Sequence, residues 1–174
     1  MSRRPYSGAG WIFRAGLTRG FREIDIQPDG VAFGFIDLGD LSALPAHRSA
    51  FRRVIPAAYP GMPSSRYPAL ISHFYWFSHG IEAGDLVALV DDFRGDVYLG
   101  RASGPYEYRP ARAPGFNFRP VLWTSMLPLT QVPAKCREHW RARTGLFPMG
   151  RILGAISSLE GDALIQAGPG LAGP

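Results

Sequence analysis

A chain of 174 residues, 46% of them apolar, has the size and composition of one domain with a buried core, which excludes disorder as a description of the whole. The net charge is +5, and Lys135 is the only lysine among 19 basic residues; so arginine-rich a balance favours an anionic partner, of which nucleic acid is the usual one. The single cysteine, Cys136, excludes an intrachain disulfide and a multi-thiolate metal site. No apolar stretch reaches the roughly 18–20 residues of a membrane span, and the basic start MSRRPYSGAGWIF has no apolar signal core, so a cytoplasmic protein with no membrane partner is expected.

Residues 1–8 read as a flexible arm. WIFRAG (11–16) is short, apolar and β-prone, and predicts a first strand. After the turn-rich stretch 17–30, VAFGFIDLG (31–39) predicts a second strand ending near Gly39. A helical stretch opens at Asp40 to Ser42, with Leu44, Ala50, Phe51, Val54 and Ile55 on one apolar face, and is ended by Pro56, Pro60 and Pro63. YPALISHFYWFSH (67–79) is the densest aromatic segment; Leu70, Phe74 and Phe77 at helical spacing predict an amphipathic helix capped by Gly80. Gly84-Asp85 turns the chain into an alternating strand, 86–90. A hairpin through Asp91, Asp92 and FRGD then leads to the returning strand VYLGRASGPYEY (97–108). FNFRPVLWTSML (116–127) is one more strand, ending before Pro128. Lys135 to Ile165 predicts a basic helix and a final apolar helix or strand. The sum is an α+β domain over 9–165, a bent β-barrel of about five or six strands flanked by two or three helices, with 166–174 as a flexible tail or linker.

Catalytic chemistry is hard to find. No nucleophile-elbow pattern is present, and Cys136 with His139 three residues on reads as a partly buried thiol beside a surface histidine. Asp91, Asp92 and Asp96 read as solvated turn formers rather than as a magnesium site, and no glycine-rich phosphate loop is found. The expectation is a binding module and not an enzyme, with no catalytic residue, metal or cofactor. What remains is aromatic residues interleaved with arginines, and rings such as the adjacent Trp76 and Phe77 cannot all point into one core. Aromatic faces stack on nucleobases while arginines hold phosphates.

Two stretches carry a resemblance. One is FYWFSHGIEAGDLVAL, then VYLGRASGPYEYRP, then FRPVLW; the other is WIFRAG followed by VAFGFIDLGDLS. Their order resembles the amino-terminal domains of Mrr-like restriction endonucleases and related defence proteins, over about residues 11–133. Those domains look like members of the PUA-like superfamily, which includes EVE and YTH modules. The resemblance implies a bent barrel with a pocket for a modified base, often flipped from its strand. Carried over by motif, Trp11, Arg14, Phe35, Asp37, Asp40, Leu41, Ser42, Trp76 and Phe77 would surround the pocket, with Phe35 where tryptophan is expected. Tyr106 and Tyr108 would lie at its mouth or on the nucleic-acid face, and Arg14, Arg101, Arg109 and Arg119 would hold the displaced backbone.

The expected function is therefore a nucleic-acid-binding module that reads a modified, methylated base in a restriction or defence setting, with DNA favoured over RNA and a separate nuclease as a possible partner. Alternatives are a PUA-type RNA binder and a sensor of a nucleotide-like small molecule.

Overall fold

Alternation of side chains decides how the sheet is used. In β1 (Gly10–Ala15), Trp11 and Phe13 face one side and Ile12 the other; in β4 (Leu86–Asp91), Val87 and Leu89 face the first side and Leu86, Ala88 and Val90 the second. Every residue of β4 is buried, as expected of a strand covered on both faces. The computed structural model describes residues 10–15, 24–34, 36–111, 117–143 and 145–167. The predicted arm at 1–8, the end of the predicted tail and Phe35 lie outside the described residues.

The remaining strands are β2 (Ile24–Gln27), β3 (Gly30–Phe33), β5 (Asp96–Ala102), β6 (Glu107–Tyr108), β7 (Asn117–Pro128) and β8 (Gly145–Pro148). They form one strongly curled open sheet in the order β2-β3-β7-β5-β4-β1-β8, with β6 pairing β7 off that path. Among the described residues only β1 and β4 pair in parallel. Among the described residues the sheet has eight strands rather than five or six, and it is a half-barrel: its end strands, β2 and β8, do not pair with each other. β7 makes the curl possible. Its first half pairs β3 and β6, its second half pairs β5, and its register against β5 shifts between Leu99 and Gly100. A bulge of this kind bends and twists a strand. Gly100 is needed there, because a Cβ would lie 2.5 Å from the Leu122 carbonyl oxygen.

Among the described residues four α-helices cover the two faces: α1 (Arg48–Ala58), α2 (Tyr67–Tyr75), α3 (Ala134–Arg141) and α4 (Leu153–Ala167). On the α1–α2 face, Phe51, Ile55, Leu70 and Phe74 pack with Phe13, Val31, Phe33 and Leu89. On the α3–α4 face, Cys136, Trp140, Ile152 and Ile156 pack with Ile12, Leu86, Val90 and Leu99. Each fully buried aliphatic or phenylalanine side chain stabilises by about 1.5–3 kcal/mol, so both faces contribute heavily.

The local structure departs from the sequence reading in several places. The second strand stops at Phe33 because Gly34 takes φ +84°, and the turn-rich stretch before it holds β2, whose Ile24 and Ile26 alternate with Asp25 and Gln27 and pack on the core. The helical stretch from Asp40 splits into a 3-10 turn (Leu41–Ala43) and α1, with Pro45 between them. Pro56 does not end α1: it removes only the bond to the Arg52 carbonyl, and the helix closes soon after with the Tyr59 N–H on the Ile55 carbonyl. The predicted helix over 67–79 is α2 continued by a π-helical turn (Trp76–Gly80).

Candidate functional site

The start of β7 places two polar side chains in an aromatic interior. Asn117 and Arg119 alternate onto the same face as Val121 and Trp123, opposite Phe33 and Val31 of β3. Asn117 is fully buried; its Nδ2 donates to the Phe33 carbonyl at 3.1 Å, and its Oδ1 accepts from the Tyr106 hydroxyl at 2.7 Å. That hydroxyl in turn accepts the Leu41 N–H at 3.2 Å, so one phenol joins the 37–44 stretch to β7. Burial pushes the Tyr106 phenol up to about 12.

Arg119 is 2% exposed. Its guanidinium donates to the Phe77 carbonyl and, at 3.3 Å, to the Gly104 carbonyl, while its buried Nε has no hydrogen-bond partner. No carboxylate of a described residue forms an ion pair with it. Desolvation pulls its pKa down to about 10, so it stays charged at neutral pH, and the charge of Asp85 opposes that shift. The Phe77 ring centroid lies 6.0 Å from the guanidinium carbon. Phe77 stacks on Phe33 at 5.1 Å and meets Phe13 and Tyr106 edge-on.

The 37–42 stretch borders this cluster. Asp37 Oδ1 accepts the Gly39 N–H at 2.8 Å and the Tyr108 hydroxyl at 2.7 Å, a bond that raises the Tyr108 pKa. Asp40 caps the 3-10 turn, its Oδ1 accepting from the Ser42 N–H and hydroxyl. His79, on the π-turn, packs against Phe51 and Tyr75, and burial holds its pKa below the ordinary imidazole value.

The structure thus brings together Asp37, Asp40, Leu41, Ser42, Phe77, Tyr106 and Tyr108. Leu41 contributes a backbone N–H, since its side chain is fully buried. Trp76 sits beside Phe77, its ring 6.0 Å from that of Trp11 and 4.9 Å from the Arg48 guanidinium carbon. Trp11 is mostly buried, and its indole N–H donates to Asp85 Oδ2 at 2.8 Å; Asp85 also accepts the Glu82 N–H, so this pair fixes the turn before β4.

The arginines expected on a nucleic-acid backbone are engaged within the fold. Arg14 pairs with Asp92 at 2.6 Å and donates to the carbonyls of Trp140, Arg141 and Arg143, where a cation suits the end of α3. Arg101 pairs with Glu160 at 2.6 Å. Arg109 stacks 3.3 Å over the Phe118 ring and bonds Glu107, on the side of β7 away from Asn117. Arg119 is the buried group described above. Asn117 was not foreseen; its signal lies in NFRPVLW, where polar residues share the inward alternation of Val121 and Trp123.

Compared with protein-family models, with curated proteins and with solved structures, the chain matches none. Among the described residues no helix is long and apolar enough to cross a membrane, and no group of three His, Cys, Asp or Glu side chains gathers as metal ligands. Asp91 Oδ1 accepts the N–H groups of Phe93 and Arg94 in the β4–β5 turn. Cys136 is fully buried, and burial pushes its thiol up, away from the reactive thiolate.

Proposed function

We propose that this domain binds nucleic acid and reads a modified, methylated base drawn out of its strand into the site around Arg119, Asn117 and Tyr106. One observation carries the reading: a buried guanidinium among aromatic rings with no paired carboxylate and an unused Nε donor. Removing a charged group from water costs several kcal/mol, and native proteins rarely leave such a group without compensation. Buried, perturbed charges are enriched at functional sites. A base would supply what is missing, an acceptor for Arg119 Nε, and would bring a flat face to the aromatic rings around it.

Entry would exchange the Tyr106 bond to the Leu41 N–H and the Tyr108 bond to Asp37 for contacts with the ligand, releasing the 37–44 stretch. Extrusion of a base costs a few kcal/mol, and stacking on an aromatic side chain returns about 1–3 kcal/mol per base. The motif order over 11–133 supports DNA and a defence setting, in which a separately encoded nuclease would act on what this domain marks.

The test is fluorescence polarisation with matched duplexes carrying no modification, a methylated cytosine or a methylated adenine, and with RNA of the same sequence, at two salt concentrations. The reading expects one modified duplex to be preferred, the preference to survive the higher salt, and Arg119→Met to abolish it. Weak binding that ignores modification and vanishes with salt contradicts the reading, and preference for the RNA redirects it to an RNA ligand.

A further inference from the structure

We propose that the exposed side of α1, formed by Arg48, Arg52 and Arg53, holds the phosphates of the strand whose base enters the site, an inference that rests on the reading above. The arginines that the sequence singled out are committed to partners inside the fold. Arg48, Arg52 and Arg53 are all exposed, and none forms an ion pair with a described residue. α1, with the sequence RSAFRRVIPAA, contains no acidic residue.

Helix physics does not favour this arrangement. Arg48 is the first residue of α1, where the macrodipole disfavours a cation, and Arg48 and Arg52 are like charges at i,i+4 on one helix face. An anionic partner along that face turns both features into attraction.

Two further observations identify the partner and the direction. The large apolar side chains Phe51 and Ile55 of α1 are fully buried in the core and not offered to a bilayer, and the charged groups on the exposed side of the helix are all guanidinium groups. Guanidinium forks match phosphate oxygens better than ammonium groups do. The Arg48 guanidinium lies 4.9 Å from the centroid of the Trp76 ring, and Trp76 precedes Phe77 in the π-turn that borders the site. The row therefore starts beside the π-turn that also carries Phe77 and runs along α1. The other exposed basic helix, α3, carries Glu138 among Lys135, Arg137 and Arg141, and it lies on the opposite face of the sheet.

The experiment compares two charge-matched variants, Arg48→Gln/Arg52→Gln/Arg53→Gln on α1 and Lys135→Gln/Arg137→Gln/Arg141→Gln on α3. Binding to the modified and unmodified duplexes is measured between about 50 and 200 mM salt, where phosphate contacts show in the slope of log K against log salt. The α1 variant should lose at least about tenfold in affinity at low salt and lower the magnitude of the slope by about 2–3, near 0.9 per phosphate contact removed. Its ratio of modified to unmodified binding should stay as in the unaltered protein, and the α3 variant should remain close to the unaltered protein. An unaltered protein that prefers a modified duplex, with an α1 variant of unchanged affinity and slope, overturns this inference and leaves the base-reading proposal standing. Equal losses in both variants also overturn it, in favour of diffuse charge. Absence of oligonucleotide binding by the unaltered protein overturns both proposals. So does binding only to phosphatidylserine-containing vesicles that depends on the α1 arginines, which assigns the face to a lipid surface.

Discussion

On the α3–α4 face, Arg101 meets Glu160 at 2.6 Å, Thr124 Oγ1 donates to the same carboxylate at 3.2 Å, and Arg14 closes on Asp92 at 2.6 Å. On the α1–α2 face, the more deeply buried Arg119 meets only carbonyl oxygens and keeps a donor unused. Both faces are covered by helices over clusters of buried apolar side chains. The same sheet therefore carries ion-paired arginines on one side and, on the other, a buried arginine with no carboxylate of a described residue at ion-pair distance. Stability alone explains the first pattern. The second is what we ascribe to a ligand, and that contrast can be broken or sharpened by experiment.

The largest effect is expected on the α3–α4 face, where Trp140 is 2% exposed. Trp140→Ala should lower unfolding free energy by about 3–5 kcal/mol in urea titrations, without altering modified-base preference where the variant is folded. Loss of preference in the folded variant would show that the two faces are not separate in function.

The next largest effect is on pH dependence. Burial holds His73 down to about 4, against an ordinary value of 6.5, and its Nδ1 has no hydrogen-bond partner. Above pH 6.5 the folded and unfolded states both hold it neutral, and its effect on stability is nil. As pH falls below 6.5 the unfolded state takes up the proton first, so stability declines down to about pH 4, by at most about 3 kcal/mol. Urea midpoints measured across that window should show the decline, and His73→Leu should remove the larger part of it.

The smallest change in stability is expected at Arg119 itself. Arg119→Met leaves the Phe77 and Gly104 carbonyls without a donor but also removes a buried charge, and these effects oppose each other. A net change within about 2 kcal/mol by chemical denaturation fits a charge retained for binding. A loss of about 3–5 kcal/mol would instead make the carbonyl tethers the reason for the residue.

Much of the scaffold was legible in the sequence, because its signals are local. The alternation in LVALV, the Gly84-Asp85 turn and the helical spacing of Leu70, Phe74 and Phe77 each gave the element that forms. β8 was missed because four residues, GLFP, are too short for a periodic signal and are held by pairing with β1, far away in sequence. The pattern of the tail likewise predicts one basic helix and one further element, whereas the structure holds α3, β8 and α4 there. At the site, Tyr108 bonds Asp37 and Tyr106 bonds the Leu41 N–H across 71 and 65 residues of chain, contacts that no local pattern in the sequence displays. The fate of each arginine was not legible, since the partner of Arg14 is 78 residues away and that of Arg101 is 59. Only the folded register separates an arginine that clamps a helix end from one buried without a carboxylate.

The most direct measurement is of the Arg119 Nε–Hε group in nitrogen–proton correlation spectra, assigned by its loss in Arg119→Met. With addition of the preferred modified oligonucleotide, this resonance should shift to a new position and its exchange with water should slow as the unused donor gains an acceptor. Saturating binding that leaves the Arg119 Nε–Hε resonance and its exchange unchanged would contradict the assignment of this site.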